Sequence, residues 1–177
     1  MSRIGRSVIH LPDSVKVSIA GNTVRVAGRL GETAAQLSPR VAVTLDGKTL
    51  RVERKSDGCD DRALHGLART LVANMVRGVT EGYEKTLEVH GTGYKVEKKK
   101  DSIVLQLGFA HPVEFPIPGD IAIDVDRNVI KVRGIDSERV GTVSASIRSL
   151  KPPDPYKGKG IRCQGERIKL KPGKSGV

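Results

Sequence analysis

Two stretches of this chain decide the prediction of its fold: LPDSVKVSIAGNTVRVAG at residues 11–28 and IPGDIAIDVDRNVIKVRG at residues 117–134. They align without a gap at a shift of 106 residues. Each has two runs of alternating apolar and polar residues around a turn that contains an asparagine, Asn22 or Asn128, and this is the pattern of a β-hairpin. The shared pattern predicts that the chain contains a duplicated unit.

Further strands are predicted on either side of the midpoint of the chain. In the first half, residues 41–45 and 49–52 alternate around Asp46-Gly47, a turn pair typical of hairpins. In the second half, residues 85–96 and 102–109 are predicted to form two long strands joined by a charged turn. The segment after them leads into the second of the duplicated hairpins.

A helix is predicted after the strands of the first half. Asp60 or Asp61 is placed to cap its N-terminus, and Gly78 to end it in the αL conformation. Its predicted buried face consists of Leu64, Leu67, Ala68, Leu71, Val72 and Met75. The opposite face carries Arg62, His65 and Arg69. Exposure to solvent is the default interpretation of this basic face, and contact with RNA is the alternative.

The second half is predicted to contain a shorter helix. Ser137 caps it, its apolar residues extend to Leu150, and Pro152-Pro153 ends it. The predicted boundary between the halves lies near residue 82, which gives domains at 1–82 and 83–177. The predicted fold class is α+β, with two duplicated domains that each pack a mostly antiparallel sheet against a helix.

The sequence contains no pattern of catalytic or metal-binding residues. Cys59 and Cys163 form no CxxC pair, and the four histidines have no HExxH spacing. Gly91-Thr92-Gly93 lacks the third glycine of a dinucleotide-binding loop and is interpreted as a bulge in a strand. Gly173-Lys174-Ser175 lacks the first glycine of a Walker A motif. We therefore predict that the protein is not an enzyme and binds neither a cofactor nor a metal, and no membrane span or signal peptide is predicted.

Positive charge is concentrated at the C-terminal end of the chain. Residues 148–177 contain nine Lys or Arg against two acidic residues, a net charge of +7 out of +11 for the chain. This density is typical of a surface that binds a polyanion, and nucleic acid is the predicted partner. The chain has few aromatic residues, with three Tyr, two Phe and no Trp. We therefore expect it to recognise folded RNA by shape and backbone contacts rather than by base stacking.

The stretch PDPYKGKGIR at residues 153–162 carries the more specific prediction. Its prolines favour an extended path, and Gly158 and Gly160 allow close approach to RNA or a positive φ. A flexible basic tail is the alternative interpretation. The candidate RNA-binding residues are Arg148, Lys151, Tyr156, Lys157, Gly158, Lys159, Gly160, Arg162, Arg167, Lys169, Lys171 and Lys174.

The same stretch resembles the signature of ribosomal protein six of the large subunit, in its bacterial form. The resemblance extends over the chain, through MSRIG at residues 1–5, the helix at 65–79, GTGY at 91–94 and GFAHPV at 108–113. It implies two duplicated α+β domains and a non-enzymatic role in the cytoplasmic ribosome. It also implies binding to large-subunit rRNA near the sarcin-ricin region, beside neighbouring ribosomal proteins and the docking site of translational GTPases. The second domain and the tail are expected to carry most of this binding.

Three positions depart from the family pattern. Asp154 stands where Glu is usual, and it is expected to keep a local hydrogen-bond acceptor. Pro152 replaces a frequent basic residue and Cys163 a common aromatic one, which puts the contribution of these positions to RNA contact in doubt. A free-standing basic protein that binds DNA or RNA remains the alternative function, although no helix-turn-helix, zinc finger or basic zipper is found. An enzyme acting on an acidic substrate is a third interpretation, and it lacks a site.

Overall fold

A computed structural model describes residues 3–173 of the chain. The chain divides into two compact units, Met1–Gly82 and Tyr83–Val177. The first unit contains α1 (Arg3–Arg6), β1 (Ile9–His10), β2 (Lys16–Ala20), β3 (Thr23–Ala27), β4 (Glu32–Gln36), β5 (Val41–Asp46), β6 (Thr49–Arg54) and α2 (Cys59–Thr80). The second contains β7 (Tyr83–His90), β8 (Lys95–Lys98), β9 (Ser102–Gln106), β10 (Val113–Pro116), β11 (Ile121–Asp126), β12 (Val129–Gly134), α3 (Ser137–Leu150) and β13 (Gly160–Cys163).

Each unit has two sheets and one long helix. The first unit has sheets of order β2-β3-β4 and β1-β6-β5, and the second has β10-β9-β8 and β11-β12-β7-β13. All of these strand pairs are antiparallel. The predicted α+β class, with antiparallel sheet packed with a helix in each domain, is therefore confirmed, and the structure divides the sheet of each unit into two.

Each unit buries an apolar core of its own. In the first unit Leu50 of β6 and Val72 of α2 are fully buried. In the second unit one cluster joins β7, β9, β12, α3 and β13, and its fully buried members include Leu87, Ile130 and Ile161. β-Branched and leucine side chains at alternate strand positions fill this interior, as the alternating patterns predict.

The order of elements repeats from one unit to the next. One strand comes first (β1 or β7), then a three-stranded sheet (β2-β3-β4 or β8-β9-β10), then a hairpin (β5-β6 or β11-β12), and then the long helix. The hairpin 117–134 is therefore equivalent to β5-β6, not to the hairpin at residues 11–28. The predicted duplication is correct, but its 106-residue register is wrong.

Backbone hydrogen bonds give the true register. Leu11 N donates to Lys48 O at 2.9 Å, and Val89 N donates to Asn128 O at 2.8 Å. Likewise, the amide of residue 37 bonds to the carbonyl of residue 22, and that of residue 117 to the carbonyl of residue 101. Equivalent atoms are thus 78 to 80 residues apart. Two-residue hairpins share one sequence pattern, so alternation alone could not tell which hairpins correspond.

The helix ends differ in detail from the predictions. Gly58, without a side-chain hydrogen bond, is the N-cap of α2, and Gly78 is buried inside the helix rather than at its end. Gly82, with φ of 76°, takes the αL position, and its N–H bonds to Arg77 O at 3.3 Å. α3 begins at Ser137 as expected, but its cap is Asp136, whose carboxylate accepts from Glu138 N at 2.9 Å. No helix within residues 3–173 is long and apolar enough to cross a membrane.

The faces of α2 also differ from the prediction. His65 is only 4% exposed, and its Nε2 lies 2.7 Å from Val52 O, so it belongs to the core and not to a solvated basic face. Leu67 is 55% exposed although it was predicted to be buried. Arg69 donates to the Ser7 carbonyl and hydroxyl at 3.2 and 3.1 Å. The His65 imidazole can be buried in the core because the Val52 carbonyl accepts a hydrogen bond from its ring N–H.

The predicted long strand 85–96 is broken. β7 ends at His90 and β8 begins at Lys95, and the two strands belong to different sheets. Gly93 has φ of 79°, and a Cβ on Gly91 would collide with the Tyr94 ring. Both glycines are therefore required by the turn that carries the chain from one sheet to the other.

Candidate nucleic-acid interface

The C-terminal segment is an addition to the repeated unit. After α3 the chain turns back, and β13 pairs antiparallel with β7, with Ile161 opposite Val89. Ile161 is fully buried, and its N–H donates to Lys151 O at 2.8 Å. Within residues 3–173 the corresponding strand of the first unit, β1, pairs with β6 only. The basic segment is therefore folded onto the second unit and is not a flexible tail up to the end of β13.

Residues 154–159 form a compact loop held by Asp154. Its N–H donates to Lys159 O and its carbonyl accepts from Gly158 N, each at 2.9 Å. Its carboxylate accepts from Lys157 N, also at 2.9 Å. The expected role of Asp154 as a local acceptor is confirmed. The loop presents the side chains of Tyr156 and Lys157 outward, and Tyr156 is 56% exposed.

Gly158 in the loop and Gly160 at the start of β13 both have positive φ, 67° and 147° respectively. Gly160 is buried, and a Cβ there would lie 2.6 Å from Pro152 O and 2.7 Å from Pro153 Cα. Of the two reasons predicted for these glycines, positive φ applies to both. The close approach at Gly160 is to the chain's own prolines.

A cleft of about 370 Å³ lies beside this loop. It is lined by His90, Gly91, Thr92, Lys157, Gly158, Lys159, Arg162, Ile168 and Leu170. We call it the tail cleft. Lys159 reaches across it, with Nζ 3.2 Å from Thr92 Oγ1. The structure thus brings Lys157, Gly158, Lys159 and Arg162 of the predicted set together at one place.

One carboxylate lies beside the tail cleft. His90 Nε2 donates to Glu88 Oε2 at 2.9 Å, and Arg162 Nε and Nη2 approach the same oxygen at 3.4 Å. The hydrogen bond from His90, followed by that from Arg162, holds the pKa of the Glu88 carboxyl below its usual value. Glu88 therefore stays ionised and orients the His90 ring and the Arg162 guanidinium, while Lys157 has no ion pair among the described residues.

Arg148 is placed differently from the lysines. It lies in the last turn of α3 and donates from Nε to Glu166 Oε2 at 3.1 Å and from Nη2 to the other oxygen. Glu166 also accepts from Cys163 N at 3.0 Å. The pair, chiefly through this hydrogen bonding, lowers the pKa of the Glu166 carboxyl and raises the pKa of the Arg148 guanidinium. Arg148 does not line the tail cleft.

The other predicted residues lie around this centre. Lys151 Nζ sits 4.5 Å from the centroid of the Phe109 ring, a cation–π contact. Lys171 N donates to Pro155 O at 2.7 Å, which folds the end of the segment back on the loop. The side chains of Arg167, Lys169 and Lys171 are exposed. Lys174 lies outside the described residues.

The sequence reasoning missed the half of the tail cleft that comes from β7 and the turn after it. His90 and Thr92 are about 70 residues from Arg162 in the chain, and only the pairing of β13 with β7 brings them together. A signal is present in Gly91-Thr92-Gly93-Tyr94, which belongs to the family resemblance, although its spacing alone indicates only a bulge. Within residues 3–173 there is no group of three or more His, Cys, Asp or Glu that could hold a metal ion.

The C-terminal segment, residues 148–177, differs in net charge from the rest of the second unit. Residues 83–147 contain nine Lys or Arg and ten Asp or Glu, a net charge of −1, against +7 for residues 148–177. An almost neutral α+β unit that holds a folded basic segment is typical of the class of proteins that bind a polyanion.

Comparison with known proteins agrees with this class. The family model described as "Ribosomal protein L6" matches residues 11–82 and 90–164, once in each unit and about 80 residues apart. Among similar curated proteins, the chain is 45% identical to the large ribosomal subunit protein uL6 of Staphylococcus saprophyticus, over 99% of both chains. It is 49% identical to uL6 of Synechococcus sp. and 48% identical to uL6 of Persephonella marina, over 99% of this chain and 98% of each of those proteins.

The chain belongs to the ribosomal protein L6 family. The resemblance to ribosomal protein six of the large subunit is thereby confirmed. This family is a structural, non-enzymatic component of the ribosome, and the prediction that the protein is not an enzyme is confirmed on that ground.

Proposed function

We propose that this protein is held in the large ribosomal subunit chiefly by its second unit, through contacts of the tail cleft and its loop with phosphates of the large-subunit rRNA. Membership of the family makes it a structural constituent of that subunit, associated with rRNA and neighbouring ribosomal proteins. The residues assigned to phosphate contact are Lys157, Lys159 and Arg162, with Thr92 as a hydrogen-bond donor.

The observation that carries this proposal is the fixed geometry of the tail cleft. Lysines on a disordered tail lose conformational freedom when they bind, which weakens the net interaction. Here β13 and the loop around Asp154 have already ordered the backbone that carries Lys157 and Lys159, and the Lys159 ammonium is further held by Thr92, so less conformational freedom is lost on binding. Ile168 and Leu170 are the only large apolar side chains in the lining of the cleft, and the lining contains no Phe, Tyr or Trp, which suits phosphate and ribose contact better than base stacking.

The position within the subunit is the finer part of the proposal. By family resemblance, the tail cleft lies against rRNA near the sarcin-ricin region, close to where translational GTPases dock. Chemical footprinting of large subunits reconstituted with and without the protein tests this position. Protection of nucleotides in the sarcin-ricin region, lost in a Lys157→Ala, Lys159→Ala double variant, supports it. Protection confined to a distant helix would refute the position while leaving rRNA binding intact.

A free-standing basic protein that binds DNA or RNA is the alternative function. The same positive charge would allow a free-standing protein to bind nucleic acid, because contacts to phosphates do not depend on the base sequence. Sedimentation after a high-salt wash separates the two. A ribosomal constituent remains with the large subunit, whereas a free-standing protein is released into the supernatant.

A further inference from the structure

The first unit contains a second basic cleft, with a volume of about 720 Å³. Its walls are the end of α1 with the residues after it, the end of β6 and the residues that follow β6, and His65 of α2 lies at its floor. Its charged lining residues are Arg6, Arg51, Arg54 and Lys55, together with Glu53 and Asp57. We call it the β6 cleft. It is larger than the tail cleft and belongs wholly to the other unit.

The floor of the β6 cleft is a fixed hydrogen-bond network. His65 Nε2 lies 2.7 Å from Val52 O, and since a carbonyl can only accept, Nε2 carries the proton. Nδ1 is then the acceptor for Arg54 Nη1 at 3.4 Å. A Cβ on Gly5 would lie 2.5 Å from His65 Nδ1, so only glycine lets α1 approach this ring. The network fixes the position of the Arg54 guanidinium.

The charges on the rim are not neutralised within the unit. Arg54 is paired with Asp57, chiefly by a hydrogen bond that lowers the pKa of the Asp57 carboxyl. The other ion pairs of the first unit belong to Arg40, Lys48, Arg77 and their partners. Among the described residues the exposed side chains of Arg6, Arg51 and Lys55 therefore have no ion pair. The acidic residues that oppose them in the cleft are Glu53 and Asp57, of which Asp57 is already paired with Arg54.

We propose that the β6 cleft is a second RNA-binding site, in which Arg6, Arg51 and Lys55 contact phosphates of the RNA backbone. It shares with the proposed function only the chemistry of the partner, since its residues are all in the first unit.

Two features favour RNA over an acidic protein. The cleft has only Val8 and Val52 as apolar lining residues, so a protein partner would bury little apolar surface there.

The second feature is the choice of cation. Residues 1–82 contain ten Arg and three Lys against eight acidic residues, a net charge of +5. The planar guanidinium binds the oxygens of phosphate with two parallel hydrogen bonds, whereas the lysine ammonium acts as a point charge. A cleft with Arg6, Arg51 and the positioned Arg54 is therefore suited to phosphodiester groups.

The test measures how salt affects binding of the full chain to deproteinised large-subunit rRNA. The Arg51→Gln, Lys55→Gln double variant is compared with a Lys16→Gln, Arg25→Gln double variant, which removes the same charge from exposed positions on β2 and β3 outside the cleft. We expect the cleft variant to bind about tenfold more weakly and its logarithmic salt slope to fall by roughly two units, with little change in the control. Arg6→Gln, on a different element, should give about half of this effect.

Three outcomes would overturn the inference. The first is an equal loss in the cleft and control variants, which would indicate diffuse attraction by net charge. The second is displacement of the RNA by poly-glutamate more effectively in the wild type than in the cleft variant, which would indicate an acidic protein partner. The third is a loss seen only in the Lys157→Ala variant of the tail cleft. That result would leave the proposed function of the tail cleft standing. Loss of rRNA affinity only in the β6 cleft variants would have the opposite meaning, because it would refute the proposed function and support the β6 cleft as the RNA-binding site.

Discussion

Arg148 and Glu166 are joined by a two-point ion pair that ties the last turn of α3 to the segment after β13. Both side chains are about one-third exposed, at 36% and 27%. Glu166 also accepts a hydrogen bond from the backbone of Cys163, the last residue of β13. The pair thus fastens the C-terminal segment to the helix behind it.

This pair gives a test in which geometry and net charge oppose each other. Glu166→Gln removes a negative charge from a basic segment, so electrostatics alone would strengthen RNA binding. If the pair holds the tail cleft in shape, the same variant should weaken binding several-fold with an unchanged salt slope. It should also cost about 1 kcal/mol of stability, a fall of about 4–8 °C in melting temperature. Titration against rRNA at several salt concentrations and thermal melting measure both effects.

Arg148→Gln is the companion variant. Because its guanidinium is already bonded to Glu166, we expect it to reproduce the loss of stability and affinity without flattening the salt slope. A slope reduced by about one unit would instead identify Arg148 as a phosphate contact, as the sequence predicted. Tighter RNA binding by Glu166→Gln would rule out the fastening role.

The same pair makes the second unit sensitive to acid. The folded-state pKa of Glu166 is lowered, chiefly by its hydrogen bond to Arg148, so its contribution to stability is complete above the unfolded value of 4.5. That contribution is lost as the pH falls below 4.5 through the folded-state pKa. Melting temperatures of wild type and Glu166→Gln, measured between pH 7 and pH 3, should therefore converge towards the acid end. A constant difference over this range would contradict the assignment.

Gly160 should be intolerant of any side chain. Its φ of 147° is unfavourable for other residues, and a Cβ would lie 2.6 Å from Pro152 O. We expect Gly160→Ala to destabilise the protein by at least about 2 kcal/mol, measured by denaturant unfolding. Gly119→Ala in the same unit is the control, because no atom lies within 4 Å of its Cβ position. Similar stability of the two variants would mean that the prolines move aside freely.

We propose that the two units fold independently. The buried cluster of the second unit contains no residue before Leu87, and α2 packs on strands of its own unit. Fragments 1–82 and 83–177 should each give a cooperative melting transition and a dispersed NMR spectrum. Fragment 83–177 should bind rRNA more tightly than fragment 1–82, and more weakly than the full chain by the contribution of the β6 cleft. A second fragment that is unfolded in the absence of the first would refute this proposal.

The sequence predicted local structure well where turns and periodicity act over short distances. The β2-β3 hairpin, the β11-β12 hairpin and the span of α3 follow from alternating residues, two-residue turns and Pro152. It failed on the register of the duplication, because the β5-β6 hairpin has the same pattern as β2-β3 and only the strand partners distinguish them. The prediction of one continuous strand over residues 85–96 failed for a related reason. Whether the chain passes from one sheet to another at residues 91–93 depends on tertiary packing, which alternation does not report.

For the candidate site, the sequence identified the charges but not the geometry. The density of lysine and arginine after Arg148 indicated a polyanion partner, and this part needs no long-range information. The contribution of His90 and Thr92 depends on β13 pairing with β7, which composition does not encode. The partner of Arg148 was equally invisible, because Glu166 was counted only as a reduction in net charge.

The salt dependence of rRNA binding by variants of the tail cleft tests the central claim most directly. Lys157→Ala combined with Lys159→Ala is compared with Lys99→Ala, an exposed lysine between β8 and β9 that already has Glu114 as a partner. The proposal predicts that the double variant binds at least tenfold more weakly and that its logarithmic salt slope falls by roughly two units, with little change for Lys99→Ala. An unchanged slope in the double variant, or an equal effect per lysine in the control, would contradict the account.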